Sequence, residues 1–168
     1  MEIKVLNTKD VQEYRQLRLL SLQTNPEAFA STYETEIKYP ISKFEQRLES
    51  NDTKFTLGGF CDNHLVCIAT FYRETVMKLS HKGNLVAMYC HKSKRGTGIL
   101  EKLVSELIKR ATMIEGLKVI DLSVLSNNKR AICFYEKLGF EKYATEPNAI
   151  YDGACYQDED MMRLILKN

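Results

Sequence analysis

The order of apolar patterns along this chain predicts an α/β protein, of the α+β kind, built on one mixed sheet. Three observations carry this. Two strand-like runs in the first half, Thr53 to Phe60 and Leu65 to Arg73, flank the turn Asp62-Asn63-His64, a hairpin signal. The second half alternates strand, helix, strand, helix, strand, which implies parallel neighbours joined by a right-handed crossover. The chain has 168 residues with 44% apolar and 27% charged side chains, and no repeat or linker divides it. That suits a single domain, 1–168, with one full-sized core.

The elements follow in order. Ile3 to Leu6 reads as a first strand. Thr8 or Asp10 caps a helix running to about Gln23, with Val11, Tyr14, Leu17 and Leu20 on one face. Asn25-Pro26 stops it. The segment from Phe29 to Lys38 has no clean period and reads as a loop or short turn. Ser42 to Glu49 reads as a short helix, and after the hairpin Asn84 to Cys90 is the next strand. A helix then shows Leu100, Leu103, Val104, Leu107, Ile108, Ala111 and Ile114 at helical period, and Glu115-Gly116 ends it. Lys118 to Leu125 is a strand with Ile120, Leu122 and Val124 on one face. Asn127 or Asn128 caps a shorter helix carrying Ala131, Ile132, Phe134, Tyr135 and Leu138, closed by Gly139. Phe140 to Tyr143 starts another strand. Met161 to Leu166 is the last, after a polar stretch in which Tyr151 to Asp160 is compatible with a hairpin.

Composition excludes several functions. The net charge is +2 and no long basic run occurs, only the local cluster Lys92, Lys94 and Arg95. Neither nucleic acid nor an acidic membrane is expected as a partner. The five cysteines, Cys61, Cys67, Cys90, Cys133 and Cys155, are scattered and form no Cys-x-x-Cys pair. With three dispersed histidines, this argues against a disulfide scaffold and a metal site, and for a cytoplasmic, reducing environment. The N-terminus has no signal-peptide pattern, and no apolar run approaches a membrane span.

The chemistry concentrates at Arg95-Gly96-Thr97-Gly98-Ile99-Leu100. A strand leads in through Leu85 to Cys90 and an amphipathic helix leads out. Glycines permit a tight turn and close approach of bare N–H groups, and a helix N-terminus adds unpaired donors and partial positive charge. Together they make an anion site suited to phosphate or pyrophosphate. The Walker loop spacing is absent. The dinucleotide fingerprint fails because Glu101 stands where its third glycine is needed.

What remains resembles the phosphate loop of the GNAT superfamily of N-acetyltransferases, Arg/Gln-x-x-Gly-x-Gly/Ala, aligned from Arg95 through Gly98 to Leu100. Asn128-Lys129-Arg130-Ala131-Ile132-Cys133-Phe134-Tyr135-Glu136-Lys137-Leu138-Gly139-Phe140 is similar to the family's second signature, and Met88-Tyr89-Cys90 to its strand lead-in. The chain departs from the pattern at Leu100, where glycine or alanine is usual, and at Lys92, where proline is frequent. The resemblance implies a GNAT-like sheet of about seven strands, antiparallel in its N-terminal half, with a splayed parallel pair in the middle and helices on both faces. It implies acetyl-CoA as cosubstrate, with no metal, and a small-molecule or peptide or protein amine as acceptor. Family members are often homodimers.

By the same resemblance, backbone N–H groups of Arg95, Gly96, Thr97, Gly98, Ile99 and Leu100 hold the pyrophosphate. The pantetheine runs along Met88, Tyr89 and Cys90, and a backbone N–H near Tyr89 or Cys90 stabilises the oxyanion of the tetrahedral intermediate. Asn128 contacts the coenzyme, and Tyr135 returns a proton to the departing thiolate. Each position has a plainer reading. Gly96 and Gly98 make an ordinary strand-to-helix turn, Arg95 is a solvated charge, Asn128 is a helix cap, and Tyr135 is a core tyrosine. Cys90 and Cys133 read as buried thiols, and His91 as an exposed loop residue. For the general base the candidates are Glu34 and Glu36, with Phe29 and Tyr33 lining the same acceptor pocket; a water chain could replace a dedicated base. The cluster Asp158-Glu159-Asp160 either attracts a cationic amine or is a solvated turn. A non-catalytic acyl-CoA-binding module on the same fold is the alternative function.

Overall fold

A computed structural model describes residues 2–167. Seven strands form one sheet in the order β1-β2-β3-β4-β5-β7-β6. They are β1 (Glu2–Val5), β2 (Lys54–Cys61), β3 (His64–Arg73), β4 (Lys82–Cys90), β5 (Val119–Leu125), β6 (Glu141–Tyr151) and β7 (Tyr156–Ile165). Five helices cover it: α1 (Val11–Thr24), α2 (Tyr33–Glu36), α3 (Ile41–Leu48), α4 (Ile99–Thr112) and α5 (Lys129–Lys137). Every neighbouring pair is antiparallel except β4 and β5. The mixed sheet, the central parallel pair and helices on both faces are as the sequence predicts.

The core has two parts, one on each face of the sheet. Leu103, Val104 and Leu107 of α4, Ile132 and Tyr135 of α5, and Ile120, Leu122 and Val124 of β5 pack into one cluster. Tyr14 and Leu17 of α1, Phe44 and Leu48 of α3, and Ile68 and Tyr89 of the sheet form the other. Strand β2 is buried along nearly its whole length, because both faces are covered. It therefore reads as a continuous apolar run instead of alternating.

Strand β4 holds the feature that matters most for function. It pairs with β5 only through Lys82–Val119, Gly83–Ile120 and Asn84–Asp121. Beyond Asn84 the two strands part, while Cys90 still pairs with Cys67 of β3 and Leu125 still pairs with Glu159 of β7. Where they part, Ala87 has φ of 51°, and the pairing with β3 shifts register between Ile68 and Thr70. An extra residue bends its strand and turns it away from its neighbour. A slot is left through the sheet.

Several elements differ from expectation. Helix α1 is preceded by a 3-10 turn, Thr8–Asp10, capped by Asn7 rather than by Thr8 or Asp10. Asn7 Oδ1 accepts from Lys9 N at 2.9 Å, and Asp10 Oδ2 accepts from Asn7 N at 3.0 Å, a reciprocal capping box. The segment read as a loop contains α2, whose first turn is capped by Thr32 Oγ1 accepting from Thr35 N at 3.2 Å. Four residues are too short to show a period. Strands β6 and β7 are much longer than Phe140–Tyr143 and Met161–Leu166, and the hairpin turn lies at Asp152–Cys155. Most of β6 is exposed, so its sequence carries no apolar alternation to betray it.

Candidate active site

A cleft of about 780 Å³ opens at the slot. Met88, Tyr89 and Cys90 form one wall and Leu125, Asn127 and Asn128 another. The loop from Lys94 to Glu101 closes one end, and the segment Asn25 to Phe29 overhangs it. The cleft crosses the sheet: Met88 and Cys90 belong to the α4–α5 side of the core, and Tyr89 to the α1–α3 side.

The end wall is the anion cradle. Gly96 and Gly98 have φ of +80° and +82°, a region costly for any residue with a Cβ. Gly98 is the N-cap of α4, with no side chain to satisfy the first amides of the helix. A Cβ built on either glycine would meet nothing within 4 Å, so the approach to the backbone is open. This is the condition an anion needs to reach the helix N-terminus. Ile99 points the other way, into the core, and anchors the helix start. Thr97 is exposed, and its hydroxyl donates to Lys94 O at 2.7 Å, closing the turn that precedes the glycines. Leu100 both lines the cleft and packs against the core.

Arg95 is not a solvated charge. Its Nε donates to Cys90 O at 3.0 Å and its Nη2 to Asn25 Oδ1 at 2.7 Å, while the guanidinium lies 5.7 Å from the Tyr89 ring centroid. It staples the end of β4 to the end of α1. A second tie is the 2.9 Å hydrogen bond between Thr24 Oγ1 and Tyr89 Oη.

Asn128, not Asn127, caps α5: its Oδ1 accepts from Ala131 N at 3.2 Å. Asn127 instead donates from Nδ2 to Gln157 Oε1 at 3.2 Å. Asn128 also lines the cleft, and its Nδ2 donates to no described residue. Tyr135 is 7% exposed, its ring edge-on to Phe134 and Phe140. Its hydroxyl donates to Met88 Sδ at 3.5 Å, and Met88 lines the cleft. Burial pushes its pKa well above the usual phenol range, so Oη carries its proton across neutral pH. Tyr135 is a core tyrosine and not itself a cleft-lining residue; its hydroxyl reaches the cleft wall through Met88.

The acceptor-side expectations divide. Phe29 lines the cleft; Tyr33 and Glu34 are not among its lining residues, and Glu34 is exposed. Glu36 is fully buried, 2.8 Å from Arg18 Nη2 and 2.7 Å from Arg47 Nη1. Burial pushes the carboxyl up, but hydrogen bonds from the two guanidinium groups outweigh it and hold the pKa at about 2. Such a group ties α1, α2 and α3 together and is a poor proton acceptor. Cys90 Sγ accepts from Cys67 Sγ at 2.9 Å in a buried cross-strand pair. Cys133 is exposed on the cleft wall rather than buried. His91 is half-buried, and its Nδ1 is bonded to the Ser93 hydroxyl at 2.7 Å.

Several lining residues escaped the sequence reading, among them Asn25, Glu27, Arg130 and Lys137. Arg130, Cys133, Phe134 and Lys137 form an i, i+3, i+4, i+7 stripe along α5. The spacing was available, but a mixed polar stripe reads as a solvated face. With Lys94 and Arg95 they give the cleft four cations against Glu27 and Glu101, a balance suited to a polyanionic ligand. Among the described residues, no three or more His, Cys, Asp or Glu side chains converge on a metal position. No helix there is long and apolar enough to cross a membrane.

Comparison with known proteins agrees with this geometry. No curated protein matches the sequence. The chain superimposes on an acetyltransferase of the GNAT family from Streptococcus pneumoniae with a TM-score of 0.88, at 22% identity, over 99% of both chains. The ribosomal-protein-alanine N-acetyltransferase from Brucella melitensis gives 0.85 at 21%, over 99% of this chain and 100% of that one. The protein yncA from Salmonella typhimurium, solved with its cofactor acetyl-CoA, gives 0.82 at 20%, over 100% and 95%. At these identities the likeness is one of fold. The model of the Acetyltransferase (GNAT) family, however, matches residues 15–140, most of the chain, and takes in both the glycine loop and α5. The chain belongs to the GNAT acetyltransferase family.

Proposed function

We propose that the protein is an N-acetyltransferase that uses acetyl-CoA to acetylate a primary amine on a small molecule or a peptide. The observation that carries this reading is the continuity of the glycine cradle with the β4–β5 slot. An anion site alone binds phosphates. An anion site that opens into a gap through the sheet can hold a long coenzyme and expose its far end to a second substrate. Acetyl-CoA supplies the activated acyl group as a thioester.

The chain's own residues then have separable tasks. Amides from Gly96 to Leu100, with Lys94, Arg130 and Lys137 nearby, bind the diphosphate. Met88, Tyr89 and Cys90 line the path of the pantetheine, and the Asn128 side-chain amide faces it. His91 N donates to Val66 O on β3 at 2.8 Å. Amide directions alternate along a strand, so the preceding Cys90 N–H turns toward the slot. It is the donor for negative charge developing on the carbonyl oxygen. Tyr135 Oη holds the proton for the leaving sulfur.

Two measurements test the reading. Calorimetric titration with acetyl-CoA should show one site per chain. A panel of primary amines, followed by release of coenzyme thiol, should contain at least one turnover substrate. Binding without transfer to any amine would instead support a non-catalytic acyl-CoA-binding module, the reading that the departure from the family pattern at Leu100 favours. No binding would end both.

A further inference from the structure

The proposed transfer needs a proton acceptor for the incoming ammonium, and the residues on the coenzyme side provide none. Strand register shows where to look. On β5, Ile120, Leu122 and Val124 face the α4–α5 core, so Asp121, Ser123 and Leu125 face the other side, the side of Tyr89. The pairing of β5 with β7 runs unbroken from Val119–Ile165 to Leu125–Glu159. Residues directly opposite share a face. Glu159 is therefore beside Leu125, a cleft-lining residue at the open end of the slot, on the face away from Tyr135.

Of the acidic triplet on β7, only Glu159 is uncommitted. Asp158 Oδ1 accepts from Asn148 N at 2.8 Å and holds the β6 irregularity. Asp160 faces the other way and is 3% exposed, with Oδ1 accepting from Ser126 Oγ at 2.6 Å, Thr145 Oγ1 at 2.9 Å and Lys142 Nζ at 2.8 Å. Glu159 is half-buried and its carboxylate makes no hydrogen bond or ion pair with any described residue. The charged groups on its face include Glu146, directly opposite on β6, and farther along Arg163, which has Glu141 opposite it on β6 and is committed to Asp121 through contacts of 2.6 and 2.8 Å. Burial first, and Glu146 second, raise the proton affinity of Glu159.

We propose that Glu159 is the general base of this site, taking the proton of the acceptor ammonium on the face of the slot opposite Tyr135. The inference rests on the acetyltransferase reading above. One proton leaves R–NH3+ for the Glu159 carboxylate and from there goes to solvent. The freed nitrogen pair forms the N–C bond, and collapse of the tetrahedral intermediate then breaks the C–S bond. The sulfur takes the Tyr135 proton, and the second proton of the acylated nitrogen restores the phenol through solvent. The sum is R–NH3+ plus thioester giving amide, thiol and H+.

The test is the pH profile of kcat/KM for the best amine of the panel, in the wild type, Glu159→Gln and Glu146→Gln. Glu159→Gln should leave acetyl-CoA affinity within about twofold and lower kcat/KM at neutral pH by about 10²-fold. That deficit should shrink as pH rises and the amine deprotonates by itself. Glu146→Gln should keep activity but move the acidic limb to lower pH, because it removes the neighbouring charge; a merely structural role for Glu159 would not move that limb. If the wild type turns over and Glu159→Gln matches it with an unchanged acidic limb, Glu159 is not the base, while the acetyltransferase reading stands. If the wild type binds coenzyme and acetylates no amine, both proposals fall together.

Discussion

The two sides of the slot are built by different means. The proposed coenzyme side is mostly backbone: amides at the start of α4, two glycines with positive φ, and a strand edge left unpaired by a bulge. Those backbone parts come from one stretch between Met88 and Leu100, faced by side chains of β5 and α5. The proposed acceptor side is made of side chains delivered by remote elements, Phe29 after α1 and Glu159 on β7, with the buried Glu36 on α2 locking the helices behind them. A backbone site tolerates change in side chains but not in conformation. A side-chain site has the opposite sensitivity. Substitutions on the two sides should therefore fail in different ways.

The largest stability effect should come from the acceptor side. Glu36→Gln leaves the Arg18 and Arg47 guanidinium groups without their carboxylate. Breaking a buried pair by removing one partner costs about 3–5 kcal/mol. The lower end is expected here, because the Arg47 side chain is 32% exposed. Urea unfolding at neutral pH reads this directly. The carboxyl pKa is depressed in the folded state, to about 2 from 4.5. Its contribution is thus complete above pH 4.5 and lost as pH falls toward 2. Across that window the wild type should lose stability faster than Glu36→Gln. Equal slopes would mean that Glu36 is not the lock between α1, α2 and α3.

Tyr135→Phe should show the reverse pattern, with a large kinetic effect and almost no structural one. Among the described residues the hydroxyl's only polar partner is a thioether sulfur, and the ring contacts survive the change. Stability should shift by less than about 1 kcal/mol. Turnover should fall by about 10²-fold or more, the usual worth of a placed general acid. Unchanged kcat would return Tyr135 to the core.

Gly98→Ala probes the backbone side. No atom lies within 4 Å of the new methyl, so no clash contributes. What remains is the cost of holding a Cβ-bearing residue at φ of +82°, about 1–2 kcal/mol. Thermal unfolding should report that loss, and titration should report weaker acetyl-CoA binding, as the cradle amides relax away from their aim. An alanine variant as stable as the wild type would mean the loop readily adopts another conformation.

The same contrast decides what could be read from the sequence. The glycine loop, the α5 signature and the order of strands were legible because each is local: spacing within about a dozen residues determines it. The choice between Asn127 and Asn128 as cap was not, since both types cap well and only tertiary contact with Gln157 claims one of them. Glu36 stood among polar neighbours and looked like a loop carboxylate. Its two arginines are 18 and 11 residues away, on separate helices. Glu159 stood inside an acidic triplet, and only strand register shows that its neighbours are committed while it is not. The Arg130–Lys137 stripe was visible but had no reason to be preferred over solvent until the cleft was seen beside it.

The smallest expected effect separates charge from geometry at Arg95. If this residue served the coenzyme as a point charge, lysine would replace it with little loss. The structure uses its fork instead: Nε reaches Cys90 O and Nη2 reaches Asn25 Oδ1, two carbonyl oxygens on different elements. A single ammonium cannot bond both in that geometry. Arg95→Lys should therefore cost about 1–2 kcal/mol of stability, for one charged hydrogen bond lost at a partly solvated site. Acetyl-CoA affinity should fall only severalfold, through loosening of the loop, with its salt dependence unchanged because the net charge is kept. A variant of full stability whose coenzyme binding has become more salt-sensitive would show the opposite, that Arg95 meets the phosphates directly and that the backbone cradle does less of the binding than its open amides suggest.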